Sequence, residues 1–136
     1  SRVIFASHGG LSKGMKDSVS MIVGDLAKDV ETYSLLPGQN PEDFYQEVLK
    51  EAKESEEQIV ILCDIKGGSV HTALSKLAVL DNVMVFSGMN MGLVLDAVMK
   101  GLNGKLELAE ANDLIEAAKD GMTVMNGITS EDDEDF

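Results

Sequence analysis

The chain has no tryptophan, two tyrosines, four phenylalanines, one cysteine and two prolines in 136 residues. Aromatic side chains are what a flavin-binding domain usually stacks on its ring, so their scarcity weighs against one. The lone cysteine, Cys63, excludes an intrachain disulfide and a cysteine metal cluster. Set in an apolar run at 59–63, it reads as a small core residue. No apolar stretch reaches the roughly 18 residues of a membrane span, and no basic start with an apolar middle marks a leader. The expectation is a soluble, cytoplasmic protein with no direct membrane insertion. Positive charge is scarce too: 11 Lys and Arg stand against 24 Asp and Glu, a net −13. Phosphate backbones and anionic lipid attract basic surfaces, so nucleic acid is not an expected partner and a basic protein is. Five of the negative charges, Glu131, Asp132, Asp133, Glu134 and Asp135, sit together and leave −8 on the rest.

Apolar residues make up 44 %, spread evenly, and the length suits one domain with one sizeable core. An apolar run, Val3, Ile4, Phe5 and Ala6, ends in Ser7 and His8, and two glycines follow. Met15, Val19, Ile22, Val23 and Leu26 then form one stripe, which predicts a helix over 12–27. V-E-T-Y-S-L at 30–35 reads as a strand stopped by Pro37-Gly38. Asn40, Pro41, Glu42 and Asp43 read as an N-cap, a first-position proline and an acidic first turn, opening a helix that buries Phe44, Val48, Leu49 and Ala52. The run at 59–63 ends at Asp64 and is apolar throughout, as in a parallel strand covered on both faces.

Lys66-Gly67-Gly68 makes a turn, Ser69 can cap the helix after it, and Ala73, Leu74, Leu77 and Ala78 give that helix its stripe. A fourth strand at 83–86 precedes a helix carrying Leu93, Leu95, Val98, Met99 and Leu102. Strand and helix thus alternate four times, the mark of an α/β doubly wound domain: a mostly parallel four-stranded sheet with helices on both faces. A further helix over 112–119 and a short β-like segment at 122–125 follow. The span 101–120 would separate that last segment from the compact unit and let it reach a neighbouring subunit. The domain is expected over 1–128, with 129–136 an acidic disordered tail.

In an open parallel sheet, ligands gather past the carboxyl ends of strands, at the point where strand order reverses. His8 stands at such an end, and histidine serves as nucleophile, base or ligand near neutral pH. If strands one and three are neighbours, Asp64 meets it. Asp64 would then accept from Nδ1–H, leaving Nε2 free as a nucleophile and balancing the cation formed on attack. A loop-capping histidine and a turn-capping aspartate account for the same two positions. The Gly67-Gly68-Ser69 turn opens a helix, so its backbone N–H groups, its dipole and the Ser69 hydroxyl form an anion site. Together these make a phosphoryl-transfer site, with an oriented nucleophile and donors for phosphoryl oxygens. Gly9, Lys66 and Asn90 border the cleft, although Asn90 equally suits a left-handed turn residue before a helix. Neither a P-loop, a metal-ligand cluster nor a nucleotide fingerprint accompanies them, so no metal, no cofactor and no ATP bound by this domain are expected.

F-A-S-H-G-G-L-S-K-G, C-D-I-K-G-G-S and S-G-M-N-M-G-L-V-L-D-A-V resemble, in order and spacing, three signature segments of the mannose-family enzyme IIA component of the phosphotransferase system (PTS). The resemblance covers residues 2–126. It implies that His8 accepts a phosphoryl group through Nε2 from phospho-HPr and passes it to a IIB partner. Sugar uptake then runs through the membrane components IIC and IID, which hold the choice of sugar and with which this chain would associate only indirectly. It also implies Asp64 as orienting carboxylate, Gly68 and Ser69 as phosphoryl-binding turn, and a homodimer built by exchanging a C-terminal strand, here 122–125. Where the family often has Pro-Phe-Asn after the turn, this chain has Val70-His71-Thr72, and Ile65-Lys66 replaces an aromatic or Thr-Trp pair. His71 reads as a surface or packing residue and Lys66 as a solvated one, while Met89 and Met91 suit an adaptable partner surface.

Two rivals share the topology. The IIA-like subunit of dihydroxyacetone kinase also has a strand-one histidine but typically a Met-Gly-Ser type turn after its third strand. A flavodoxin-like or receiver-like binding module would need a hydroxyl-rich phosphate loop or an acidic cluster after strand one, where this chain has Ser7-His8.

Overall fold

The computed structural model describes residues 1–127. The expected domain limit at 128 and the acidic segment 129–136 lie outside the described residues. Four strands, β1 (Arg2–His8), β2 (Glu31–Leu35), β3 (Ile59–Cys63) and β4 (Val83–Phe86), form a sheet in the order β2-β1-β3-β4, every pair parallel. Burial follows position. All five residues of central β3 are buried and so are Val3 to Ser7 of β1, whereas no residue of edge strand β2 is fully buried. A continuous apolar run belongs in the middle of such a sheet because both of its faces are covered.

Alternation sends side chains of one strand to two cores. Val3, Phe5, Val60 and Leu62 pack with helices α1 (Leu11–Val23), α4 (Met91–Leu102) and α5 (Leu108–Asp120). Ile4, Ala6, Ile59, Ile61 and Cys63 pack on the opposite face with α2 (Pro41–Lys53) and α3 (Ser69–Leu74). Each fully buried aliphatic or aromatic side chain contributes about 1.5–3 kcal/mol of transfer free energy, so both layers are needed to offset the ordering of this chain. Strand order reverses between β1 and β3. The loop leaving β1 therefore turns to one face and the loop leaving β3 to the other, opening the crevice expected there.

Several boundaries differ from those read in the sequence. The first helix ends at Val23 rather than residue 27, because Gly24 takes φ +60 and a 3₁₀ turn, Gly24–Ala27, follows. Ile22 and Leu26 are consequently exposed, and Ala27 is the residue that is buried. In the third helix, a 3₁₀ turn at Ser75–Val79 replaces the α-helical continuation and Ala78 faces solvent. Ser69 is the first helical residue of α3, and Gly68 occupies the cap position without a side-chain bond.

The last helix begins four residues before the expected start, with Glu107 and Glu110 closing a reciprocal capping box. The span before it is no detached arm: Leu106, Ala111 and Leu114 lie in the first core. Gln58 clamps the backbone of Leu106, Nε2 donating to its carbonyl at 2.7 Å and Oε1 accepting from its N–H at 2.8 Å. Among the described residues, 122–125 pair with no strand, and Met122, Val124 and Met125 are exposed.

Candidate phosphoryl-transfer site

His8 is the last residue of β1, and Asp64 the first beyond β3. Register does the rest: Ala6 pairs with Cys63, and the Asp64 N–H donates to the Ala6 carbonyl at 3.1 Å, which sets Asp64 beside the end of β1. One carboxylate oxygen, Oδ2, accepts from the backbone N–H of His8 at 2.8 Å and lies 2.8 Å from its Nδ1. The other, Oδ1, accepts from the N–H of Ile65 at 3.0 Å. Burial works against ionisation of Asp64, but the two bonds from His8 and the one from Ile65 outweigh it and hold the carboxyl below its ordinary range. An ionised Asp64 makes Nδ1 the protonated nitrogen of a neutral ring and leaves the Nε2 lone pair available. Nε2 lies 3.0 Å from Ser69 Oγ, so the serine hydroxyl donates to it. The imidazole is 47 % exposed and its aspartate 9 %: an oriented, accessible ring on a buried anchor.

The two loops that carry these groups are locked locally. Ser7, fully buried, accepts from the Ser12 N–H at 2.7 Å and donates to the Gly9 carbonyl at 3.2 Å. It thereby serves the first turn of α1, whose cap position, Gly10, has no side chain to offer. Ser12 Oγ donates in turn to the Tyr33 carbonyl of β2 at 2.9 Å. Gly9 takes φ +54 and donates its N–H to the Leu35 carbonyl at 2.8 Å, a backbone conformation open to glycine.

On the other side of the crevice Gly67 takes φ +79. Gly68 is needed for space: a Cβ there would stand 2.8 Å from Ile65 Cγ2 and 3.2 Å from His8 Cε1. The turn therefore lies directly against the imidazole. Ser69 and Val70, the first residues of α3, have N–H groups with no carbonyl to reach within the helix. The Gly67 N–H, expected to face an anion, instead donates to Nδ1 of His71 at 3.0 Å.

The remaining sequence candidates form no hydrogen bond with the His8 imidazole. Asn90 is not a left-handed turn residue (φ −137): its Oδ1 accepts from the Leu93 N–H at 2.9 Å and caps α4. Met89 is in the first core, not on a partner surface, while Met91 is partly buried against it. Lys66 stands exposed on the turn. Cys63 is fully buried, and burial first, then neighbouring Asp64, pushes its thiol up to about 12, so it takes no part in the chemistry. Among the described residues no three His, Cys, Asp or Glu side chains are grouped to hold a metal ion. Ser7, Ser12 and His71 are the contributors that sequence reasoning missed. A serine before the Gly-Gly pair and another two residues after it was the available signal for the first two.

The family model for the PTS system fructose IIA component, EIIA-man, matches residues 2–118. The sorbose-specific EIIA component of Klebsiella pneumoniae is 33 % identical over 97 residues, 70 % of either chain. Among solved structures, the phosphotransferase system component EIIA from Streptococcus agalactiae superposes with a TM-score of 0.77 at 22 % identity, over 90 % of this chain and 95 % of that one. The PTS IIA protein associated with the fucose utilization operon of Streptococcus pneumoniae does so with a TM-score of 0.73 at 26 % identity, over 90 % and 91 %.

Proposed function

The chain belongs to the mannose-type enzyme IIA family of the PTS, and from that membership we propose that His8 is its phosphoryl carrier, loaded by phospho-HPr and discharged to a IIB component. The observation that carries this reading is the His8 ring held between Asp64 at Nδ1 and Ser69 at Nε2. The Nε2 lone pair attacks the phosphorus of the donor's phosphohistidine, forming one P–N bond as the donor's breaks. The Nδ1 proton stays on the ring, facing the Asp64 carboxylate, which offsets the positive charge that develops. Ser69 Oγ–H then turns from Nε2 to a phosphoryl oxygen, joined by the N–H groups of Ser69 and Val70. Return of the group to IIB is the same displacement in reverse. The described residues contain no helix long and apolar enough to cross a membrane, and membrane association through IIC and IID is indirect.

The proposed homodimer draws support from the outer edge of β4. Among the described residues that edge has no strand beside it, and a groove lined by Met84, Phe86, Leu108 and Ile115 runs along it. The exposed segment 122–125 of a second copy has the alternation to fill it.

Intact mass after incubation with phosphoenolpyruvate, enzyme I and HPr tests the carrier role. The expected result is an acid-labile gain of one phosphoryl group, absent from a folded His8→Ala variant. A gain that survives this substitution moves the nucleophile elsewhere, and no gain with active upstream proteins removes the proposal.

A further inference from the structure

Both backbone groups of Gly67 are held by side chains of the helix that follows it. Its N–H donates to His71 Nδ1 at 3.0 Å, and its carbonyl accepts from Thr72 Oγ1 at 3.3 Å. The same turn is closed by the Gly68 N–H to the Ile65 carbonyl at 3.2 Å. Gly67 has the left-handed φ +79, and glycine moves among backbone states more readily than any other residue. Unclamped, this peptide is the weakest hinge between Asp64 and Ser69. Those are the two residues that hold the His8 ring from either side.

We propose that His71 is a positioning residue for phosphoryl transfer at His8: its Nδ1 pins the Gly67 peptide and so fixes Gly68 and Ser69 against the reacting nitrogen. The inference rests on the carrier role assigned to His8. His71 is hydrogen-bonded neither to the imidazole of His8 nor to Asp64 or Ser69; it acts through the turn. The bond requires an unprotonated Nδ1, so the proton of neutral His71 is on Nε2. With the clamp in place, the Ser69 hydroxyl and the free N–H groups of α3 wait where the phosphoryl oxygens arrive and need no reorganisation on transfer. Thr72 supplies the second jaw.

The test compares His71→Asn, His71→Phe and Thr72→Val in the full chain. Asn places an amide oxygen near the position of Nδ1 and keeps the acceptor, whereas Phe keeps the bulk and removes it. A backbone hydrogen bond of ordinary strength predicts His8 phosphorylation about fivefold to tenfold slower in His71→Phe, carried by kcat with the KM for phospho-HPr unchanged. His71→Asn restores the rate, and Thr72→Val shows a smaller loss in kcat. The Gly67 amide, followed by ¹H–¹⁵N NMR without any phosphoryl donor, should exchange faster with solvent in His71→Phe than in wild type or His71→Asn. Equal rates for wild type and His71→Phe, or an Asn variant as slow as the Phe variant, would overturn the proposal. An unprotected Gly67 amide in the wild type would do so by itself. Should His71→Phe fail to fold, Thr72→Val and the Gly67 amide decide. Absence of any phosphorylation in the wild type would instead count against the carrier role, leaving the amide measurement to judge the clamp.

Discussion

A single oxygen of Asp64, Oδ2, accepts both the backbone N–H and the imidazole Nδ1 of His8, each at 2.8 Å. The carboxylate therefore fixes the end of β1 and the ring it carries as one unit, so ring orientation does not depend on side-chain torsions alone.

Asp64→Asn keeps the shape and removes the charge. Hydrogen bonds to a charged group are worth about 1.5–3 kcal/mol, so phosphoryl acceptance should slow roughly tenfold to a hundredfold without vanishing. Quenched-flow phosphorylation by phospho-HPr measures it, and an unchanged rate would reduce Asp64 to a turn cap.

The same residue sets a pH dependence of stability. Its native pKa lies below the ordinary 3.8, so its contribution is complete above that value and is lost as pH falls through the depressed native one. The urea midpoint of wild type should exceed that of Asp64→Asn near neutrality. The gap should close in acid, below both pKa values. A gap independent of pH would mean that the carboxylate gains nothing from its three N–H partners.

Gly68→Ala should place a methyl 3.2 Å from His8 Cε1 and 2.8 Å from Ile65 Cγ2. Ile65 is exposed and can yield, so stability should change by about 1 kcal/mol or less. The imidazole has less freedom, being tied at both nitrogens, and phosphorylation should fall at least about tenfold. Imidazole ¹⁵N shifts of His8, compared between the two proteins, show whether the ring has moved.

Cys63 should resist iodoacetamide in the folded protein at mildly alkaline pH, because its thiol is fully buried and pushed up to about 12. Labelling should follow unfolding across a urea series. Rapid modification of the native protein would show that β3 opens far more readily than its burial implies.

Val124→Asp tests the proposed exchange. Val124 is 91 % exposed in the single chain, so the substitution costs little there; in a paired strand it would bury a charge. Sedimentation should show a dimer for wild type and a monomer for the variant, with unchanged circular dichroism.

Much of this architecture was legible. The run at 59–63, apolar at every position, pointed to a central parallel strand, and once β3 lay beside β1 the meeting of His8 and Asp64 followed from register. What was hidden depends on contacts between distant residues. Gly24 ends α1 while the apolar stripe continues, since periodicity does not register where a backbone turns left-handed. Helix α5 starts on a capping box made by two glutamates, a weaker signal than serine or aspartate. The bond from Gly67 to His71 could not be read at all, because a histidine four residues beyond a glycine looks the same whether it faces back to the turn or out to water.

The uniform direction of the four strands also gives the molecule a pole. Helices α1 to α4 each begin where a strand ends, so their amino termini all crowd the edge that carries His8. Each brings a partial positive charge of about half a unit, within a chain whose net charge is −13. The phosphoryl group of the proposed carrier would therefore meet, at that one rim, helix termini opposite in sign to the net charge of the chain.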